Sequence, residues 1–499
     1  MPINPNSDEN WLSEVNVETD VAKYPIFLTG VEIERFRQIS GLEIKFEHPI
    51  SVISGSNKSG KTSVLSTIAC SHFNFQMRNP GSGNLERITW SKMVKFTKYD
   101  LQTDDWSYHL SYRLGTQSNR KRGLRKADTK KWSGLGKKES QIKERQVVYI
   151  DVDRIAPARS YSQSLFSKTQ RSTPTPVSSA TLEYLSYILE ETYSESNTLG
   201  SHQNKDSYSF NGNYSSFNCA SGEDALMGIL ASIVNADPKS LILIDELELG
   251  LHPRIQRRLV EVIKYESRTN QKQFIITTHS ASVISSFEKP SRLFIERNSD
   301  DTSCCSLGLS VNATLTKMDS SIYPAINIAC EDVTAKTIIS HCIQNCISPK
   351  NRRLINMFKM GSANRTFQYF KLTQEANQHM KIETPVCCIL DGDMRNKRDG
   401  NNQLQFPPES GLFFLHSSEA PEKMLLRIFL ATHPNTSLVY HLENSNPHIL
   451  LSKCVEQEIG TNETEAALTL VEYFSTTTEG NQSMDELSVF INSQIDADI

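Results

Sequence analysis

Apolar and polar positions alternate in FLTGVEIERF and GLEIKF, from Ile26 onward, and this period of two predicts a pair of antiparallel strands. The run Ile50–Ile53 is apolar enough for a buried strand, and Ser63–Ala69 then reads as the start of a helix. Further β-like segments lie at 92–99, 105–112 and 146–152. TLEYLSYILEETY has the spacing of an amphipathic helix, whereas 194–218 shows neither period and reads as a polar loop. In CASGEDALMGILASIV the residues Leu226, Ile229, Leu230 and Ile233 fall on one helical face. Leu241–Ile244 is an uninterrupted apolar strand, followed by a helix (PRIQRRLVEVIKYE) and a second apolar strand in QFIITTHSASVI. Beyond it, Tyr323–Cys330, a helix (TAKTIISHCI) and the strand in PVCCIL repeat the alternation, and helical spacing such as ALTLVEYF dominates after about 440. Strands alternating with helices predict an α/β protein.

The 499 residues suffice for two or three domains. Residues 1–25 are polar and predict a loose arm, and 160–218 predicts polar loops around one helix. The net charge of −4 excludes a general polycation, so any nucleic-acid contact must be local. One segment qualifies: 113–145 holds twelve Lys or Arg against three acidic residues, a local charge of +9. It reads either as a solvated, mobile loop interrupting a strand pair or as a footprint for a nucleic-acid backbone, with Trp132 stacking or anchoring. Ten cysteines lack a paired C-x-x-C framework, and Cys342 and Cys346 lack partners for a tetrahedral site. Reduced thiols in a cytoplasmic protein are the expectation. No apolar run reaches membrane length and the N-terminus is no secretory signal, so no membrane partner is expected.

The chemistry enters with ISVISGSNKSGKTSVLSTIA, which fits G-x-x-x-x-G-K-[ST]. Gly55, Ser56, Asn57, Lys58, Ser59, Gly60, Lys61, Thr62 and Ser63 then form a loop whose backbone N–H groups cradle phosphates at a helix N-terminus. Lys61 reaches the β- and γ-phosphates and the Thr62 hydroxyl ligates Mg²⁺, which makes ATP the expected cofactor. Asp245 and Glu246 stand at the end of a buried strand, where a core gains nothing from charge. Asp245 is assigned to Mg²⁺ and Glu246 to polarising the attacking water. Ser221-Gly222-Glu223 opens a helix and is by itself a common capping sequence. His279 ends the next strand, where by itself it is an ordinary polar terminus.

Taken in chain order, Gly55–Thr62, Ser221–Glu223, Asp245-Glu246 and His279 resemble the ABC-type ATPase heads of SMC, RecF and related proteins. The resemblance covers about 26–297. It implies an ABC-type P-loop head and a homodimer or higher even oligomer. In it Ser221, Gly222 and Glu223 of one head close over ATP held by the other, and His279 is a switch near the γ-phosphate. The wording DELELGLHP, then TTHS, looks most like the OLD (overcoming lysogenisation defect) family and AAA15-type ATPases. Leu247 stands where those usually have Pro, and no Gln-containing loop is placed.

OLD proteins join this head to a Toprim domain, the metal-dependent fold of topoisomerases, primases and some nucleases. Glu331 at one strand end and the D-x-D of Asp391 and Asp393 at another resemble the Toprim signature, with Gly392 easing the turn. Carboxylates converging at strand ends hold one or two Mg²⁺ ions, or Mn²⁺, against a phosphodiester. In SSEAPEKMLL, Glu422 best matches a further family Glu, Glu419 is the weaker candidate, and Lys423 is a possible cation. Asp332 replaces the usual Gly after Glu331, and Ala335 occupies the usual second-Glu position, which leaves Toprim activity open. The expected organisation is an arm (1–25), an ABC-type ATPase domain (26–320), a C-terminal Toprim α/β domain (321–440) and a helical segment (441–499). The resemblance implies an ATP-controlled endonuclease acting on double-stranded DNA in anti-phage defence, beside a co-encoded partner, either protein or nucleic acid. The alternatives are an ATPase scaffold or sensor with an inactive Toprim domain, and a RecF/SMC-like DNA-repair ATPase.

Overall fold

The structure is a computed structural model describing residues 3–496 apart from 79–84, 98, 101, 103, 156–162, 172, 203–204, 299, 319–323 and 381–384. The chain forms two compact units, Met1–Leu309 and Ser310–Ile499.

Unit one is organised by an eight-stranded sheet. Its order is Ser303–Leu307, Arg292–Arg297, Ile50–Gly55, Gln273–Thr277, Leu241–Ile244, Ile142–Ile150, His72–Arg78, Leu85–Arg87, parallel except at both edges. Strands buried on both faces need continuous apolar runs, and 241–244 and 273–277 are buried throughout. Leu241 and Leu243 face one core, with Val64, Leu65 and Ile68 of the helix Lys61–Cys70. Ile242 and Ile244 face the other, with Leu226, Ile229 and Leu230 of the helix Ser221–Val234 and Leu259, Val260, Val262 and Ile263 of the helix Pro253–Asn270. Truncating Leu243 to Ala removes roughly 2–5 kcal/mol from the strand that carries Asp245. A five-stranded antiparallel sheet, Ile39–Lys45, Ile26–Phe36, Trp106–Leu114, Gln117–Arg125, Trp132–Gly134, contributes to the first core.

Four expectations change. Residues 5–25 are no loose arm: Pro5–Ser13 is a helix capped by Asn4. Its fully buried Asp8 meets Arg268 at 2.5 Å, and Tyr24 OH donates to the Ser267 carbonyl at 2.9 Å. A few apolar anchors (Leu12, Val15, Val17) dock the segment despite its polar composition. Among the described residues of 92–99 there is no strand; Trp90–Met93 is a helical turn that buries Trp90 and Val94, four apart. The basic segment is largely strand. Residues 117–125 pair antiparallel with 106–114 through a turn in which Gly115 has φ 55°. Finally, 194–218 contains strands Asn197–His202, Lys205–Phe210 and Tyr214–Ser215, whose polar residues hide a period carried by buried Tyr208 and Phe210.

Unit two holds a parallel sheet in the order Ile355–Lys359, Ile326–Cys330, Val386–Leu390, Leu412–Phe414. Tyr323, assigned from sequence to the first of these strands in the chain, lies outside the described residues. The helix Val333–Cys346 packs against Glu463–Ser475 and Thr478–Asp496, and Ala466, Ala467, Leu470 and Phe474 are buried. Among the described residues no helix is long and apolar enough to cross a membrane.

Candidate nucleotide and metal centres

The phosphate loop joins the central strand Ile50–Gly55 to the helix Lys61–Cys70. A Cβ on Gly55 would lie 2.2 Å from the Ile295 carbonyl oxygen, so no larger residue fits there. Gly60 has φ 103° and stands at the helix N-cap, with no side chain occupying the free amides. Those amides are the donors a phosphate needs. Asn57 and Lys58 are exposed at the loop tip, Ser56 is half-buried, and Ser59 and Ser63 are buried. Lys61 Nζ donates to the carbonyls of Gly55 (2.8 Å) and Ser56 (3.2 Å), and burial pulls its pKa down against the attraction of Glu246 and Asp245.

Strand order brings the acidic pair to this loop. Asp245 Oδ1 accepts from Thr277 Oγ1 at 2.5 Å and from Thr62 Oγ1 at 3.3 Å, which places the two proposed Mg²⁺ ligands side by side. Glu246 takes a left-handed backbone (φ 49°), and its N–H donates to Thr277 Oγ1 at 2.8 Å. Burial, then Asp245 and Glu248, raise its pKa. Burial, then Lys61, lower that of His279, which favours a neutral imidazole at neutral pH. The residue set fits a Mg²⁺–triphosphate: a hydroxyl, a carboxylate, an ammonium and open helix amides.

Ser221 opens a helix, as expected. Ala220, not Ser221, is the N-cap; Ser221 is exposed as the first helical residue. Gly222 packs so closely on the Gly250 carbonyl that a Cβ would stand 2.6 Å from it, which ties this helix start to the loop after Glu246. Glu223 accepts from Tyr193 OH (2.7 Å) and Tyr214 OH (2.5 Å). Two groups escaped sequence reasoning. Glu248 accepts from Thr278 Oγ1 (2.6 Å) and the His279 N–H (2.7 Å), anchoring the His279 turn. The buried Arg154 donates to the carbonyls of Asp245 (2.8 Å) and Glu246. Glu248 was visible as the third acid of DELE; Arg154, some ninety positions upstream, carried no signal.

In unit two, Glu331 and Asp391 follow adjacent parallel strands, and the Asp391 N–H donates to Glu331 Oε1 at 2.8 Å. Glu331, Asp391 and Glu422 are 7%, 8% and 4% exposed. Burial pushes Glu331 up to about 7 and Asp391 well above its ordinary range, with Glu331, Asp332, Glu422 and Asp393 adding repulsion on Asp391. Asp393 and Glu422 are raised too, by burial first. Oδ1 of Asp391 and Oδ1 of Asp393 are buried without a hydrogen-bond partner, so the donor set fits a divalent cation. The carboxylates are not drawn tightly together. Among the described residues, the only three such groups with donor atoms within 4.8 Å are Glu32, Glu34 and His109.

The D-x-D glycine has a different reason from the one inferred. Gly392 does not need a positive φ; its Cβ would stand 2.1 Å from the Ser417 carbonyl and 2.6 Å from that of Leu415. Asp332 caps the helix Val333–Cys346 by accepting from the Ala335 N–H (3.0 Å), and Ala335 itself is fully buried. Glu419 pairs with Arg427 at 2.6 Å, and Lys423 is half-buried on the helix Pro421–Leu430. The Lys397 ammonium acts on Glu331 and Asp393, against the burial that raises both.

Part of the basic segment is neutralised within the chain. Arg120 pairs with Glu32, Arg122 with Glu34 (3.2 Å) and Lys126 with Asp105 (2.6 Å). Arg125 is buried 4.4 Å over the Phe96 ring, and Trp132 stacks on Trp90 at 4.1 Å, so neither is free to meet a base. Lys130, Lys131, Lys137, Lys138 and Lys143 have no carboxylate partner among the described residues.

Residues 107–285 match the family model described as AAA domain, putative AbiEii toxin, Type IV TA system. That stretch carries the signature of an AAA-type ATPase domain. It takes in Ser221–Glu223, Asp245-Glu246 and His279, and begins after the phosphate loop. No curated protein matches the chain. Among solved structures, the SMC head domain from Thermotoga maritima is 14% identical, with 56% of this chain and 98% of that one covered and a TM-score of 0.34. The Smc head with an extended coiled coil bound to the C-terminal domain of ScpA, from Pyrococcus furiosus, is 11% identical, covering 56% and 96%, with a TM-score of 0.35. The recombination mediator protein RecF is 12% identical, covering 56% and 98%, also at 0.35.

Proposed function

We propose that the chain is an OLD-type ATP-controlled nuclease, in which ATP turnover in unit one governs metal-dependent cleavage of DNA by unit two. In unit one Lys61 and the helix amides hold the triphosphate, Thr62 and Asp245 hold Mg²⁺, and Glu246 orients and deprotonates the attacking water. Exposed Ser221 and half-buried Gly222 serve the nucleotide of a second head, and neutral His279 contacts the γ-phosphate. In unit two Glu331, Asp391, Asp393 and Glu422 hold Mg²⁺ or Mn²⁺, which when bound supplies charge stabilisation at a phosphodiester. The single observation that carries the nuclease reading is the pair of orphaned, buried carboxylate oxygens on Asp391 and Asp393. A buried carboxylate oxygen without a donor is costly to a fold, and a bound cation would offset that cost.

A role in anti-phage defence with a co-encoded partner rests on the family resemblance alone. A second reading, an ATPase scaffold with a silent unit two, is favoured by Ala335 and by the loose spacing of the carboxylates. Incubating supercoiled plasmid with the protein, Mg²⁺ or Mn²⁺, with and without ATP, separates the two. Cleavage that Asp391→Ala abolishes supports the nuclease. ATP hydrolysis without cleavage under any of these conditions supports the scaffold, or a RecF/SMC-like ATPase that acts by binding.

A further inference from the structure

Arg154 lies in the short turn Val152–Ile155 after strand 142–150 and is 5% exposed. Four acids surround it (Asp151, Asp245, Glu246, Glu248), yet its guanidinium donates to main-chain carbonyls. Nη1 reaches the carbonyls of Asp151 (2.7 Å) and Asp245 (2.8 Å), and Nη2 reaches that of Glu246. A buried guanidinium is costly to desolvate, and a side chain serving only to balance charge would meet a carboxylate fork to fork. The bonds made here fix backbone instead.

The backbone they fix is unusual. Glu246 is held at φ 49°, a left-handed conformation that costs a residue with a side chain about 1–2 kcal/mol. Its N–H is tethered to Thr277 Oγ1 and its carbonyl to Arg154, so both peptide groups flanking its Cα are anchored. Strain of this kind persists only when the surroundings over-determine it. We propose that Arg154 is a positioning residue for hydrolysis: by bridging the carbonyls of Asp245 and Glu246 it holds the turn that aims the Glu246 carboxylate at the attacking water. The proposal rests on the reading of Glu246 as the water-polarising group.

The planar fork matters, because a single ammonium cannot span the three carbonyls in the same geometry. The test is steady-state ATP hydrolysis by the full chain carrying Arg154→Ala, Arg154→Lys or Glu246→Gln, with affinity for a fluorescent ATP analogue and Tm measured alongside. Misplacing a catalytic group by about 1 Å costs about 100-fold in rate. Arg154→Ala is therefore expected to lower kcat about 100-fold while KM and analogue affinity stay within about threefold, and Arg154→Lys is expected to recover about tenfold of that loss. An unchanged kcat overturns the proposal. So does a parallel loss of kcat, affinity and Tm that Lys rescues no better than Ala, the behaviour of a merely structural group. If the Ala variant does not fold, Arg154→Lys carries the test: kcat down about tenfold at unchanged affinity supports positioning, and a wild-type kcat refutes it. Wild-type hydrolysis by Glu246→Gln sinks the underlying assignment of Glu246 instead, an outcome distinct from any Arg154 result.

Discussion

Replacing Asp391 by Asn should make the protein more stable in EDTA and abolish its response to Mg²⁺. Raising a carboxyl from 4.5 to about 7, as at Glu331, costs the ionised form about 3 kcal/mol in the fold. The sign follows from linkage. Glu331 binds its proton more tightly in the folded state, so its contribution to the fold is complete below pH 4.5 and drains away as pH rises from there through about 7. At pH 8 the cluster is therefore a net burden, to which the charge on Asp391 contributes repulsion. The Asp391→Asn change keeps the side-chain shape and the backbone N–H to Glu331 while removing that charge. Tm should therefore rise, by about 2–4 °C for each kcal/mol relieved in a unit of this size. Calorimetry of the full chain at pH 8, without nucleotide, in EDTA and then across a Mg²⁺ titration, is the assay. Wild type should gain Tm with Mg²⁺, whereas the Asp391→Asn variant should start higher and gain little. A lower Tm for this variant in EDTA would refute the reasoning, because the Asp391 carboxylate would then be a structural partner. A wild type indifferent to both Mg²⁺ and Mn²⁺ would refute the metal assignment.

Three further outcomes are expected. Glu246→Gln should keep ATP affinity within about threefold while kcat falls about 100-fold or more, as read by analogue binding and phosphate release. Burial lowers His48 to about 4 and His72 to about 3, so their contribution is complete above pH 6.5 and drains as pH falls toward those values. Each adds a slope of up to about 1.4 kcal/mol per pH unit, and urea titrations of His72→Gln between pH 7 and 5 should show that slope reduced. For DNA binding, Lys137→Glu/Lys138→Glu/Lys143→Glu should weaken affinity and flatten its salt dependence. Arg120→Gln/Arg122→Gln, whose cations already face Glu32 and Glu34, should change the slope little in the same filter-binding series.

What the sequence made legible was whatever one period or one contiguous motif could carry. Strands 50–55, 241–244 and 273–277 are buried on both faces, so their apolar runs stand out in any window, and the phosphate loop is eight consecutive residues. Strands 197–202 and 205–210 escaped notice because their polar residues mask the alternation left by Tyr208 and Phe210. The arm escaped because its order comes from distant partners, Arg268 and Ser267, that a local window cannot see. Arg154 is the same failure at the site itself: a positioning group is defined by the carbonyls it reaches, and those lie ninety residues downstream.

The two acidic strand ends looked alike as sequence and differ as chemistry. Asp245 is supplied with hydroxyl donors from Thr277 and Thr62, and beside it Lys61 partly offsets the burial that raises Glu246. Its neighbours therefore satisfy the charge before any nucleotide arrives, which suits a site that must bind, turn over and release. At the second centre Asp391 and Asp393 each bury an oxygen with no donor, and the helix that would have supplied another carboxylate presents Ala335. An acid cluster of that kind is intolerant of its own charge and depends on an external cation to ionise fully. The consequence is an ordering of affinities: Mg²⁺ should stabilise unit two with no nucleotide present, whereas unit one should require ATP and Mg²⁺ together. Reversal of that order in paired calorimetric titrations would mean that the deeper electrostatic demand lies in the ATPase, and that the carboxylates of unit two are vestigial.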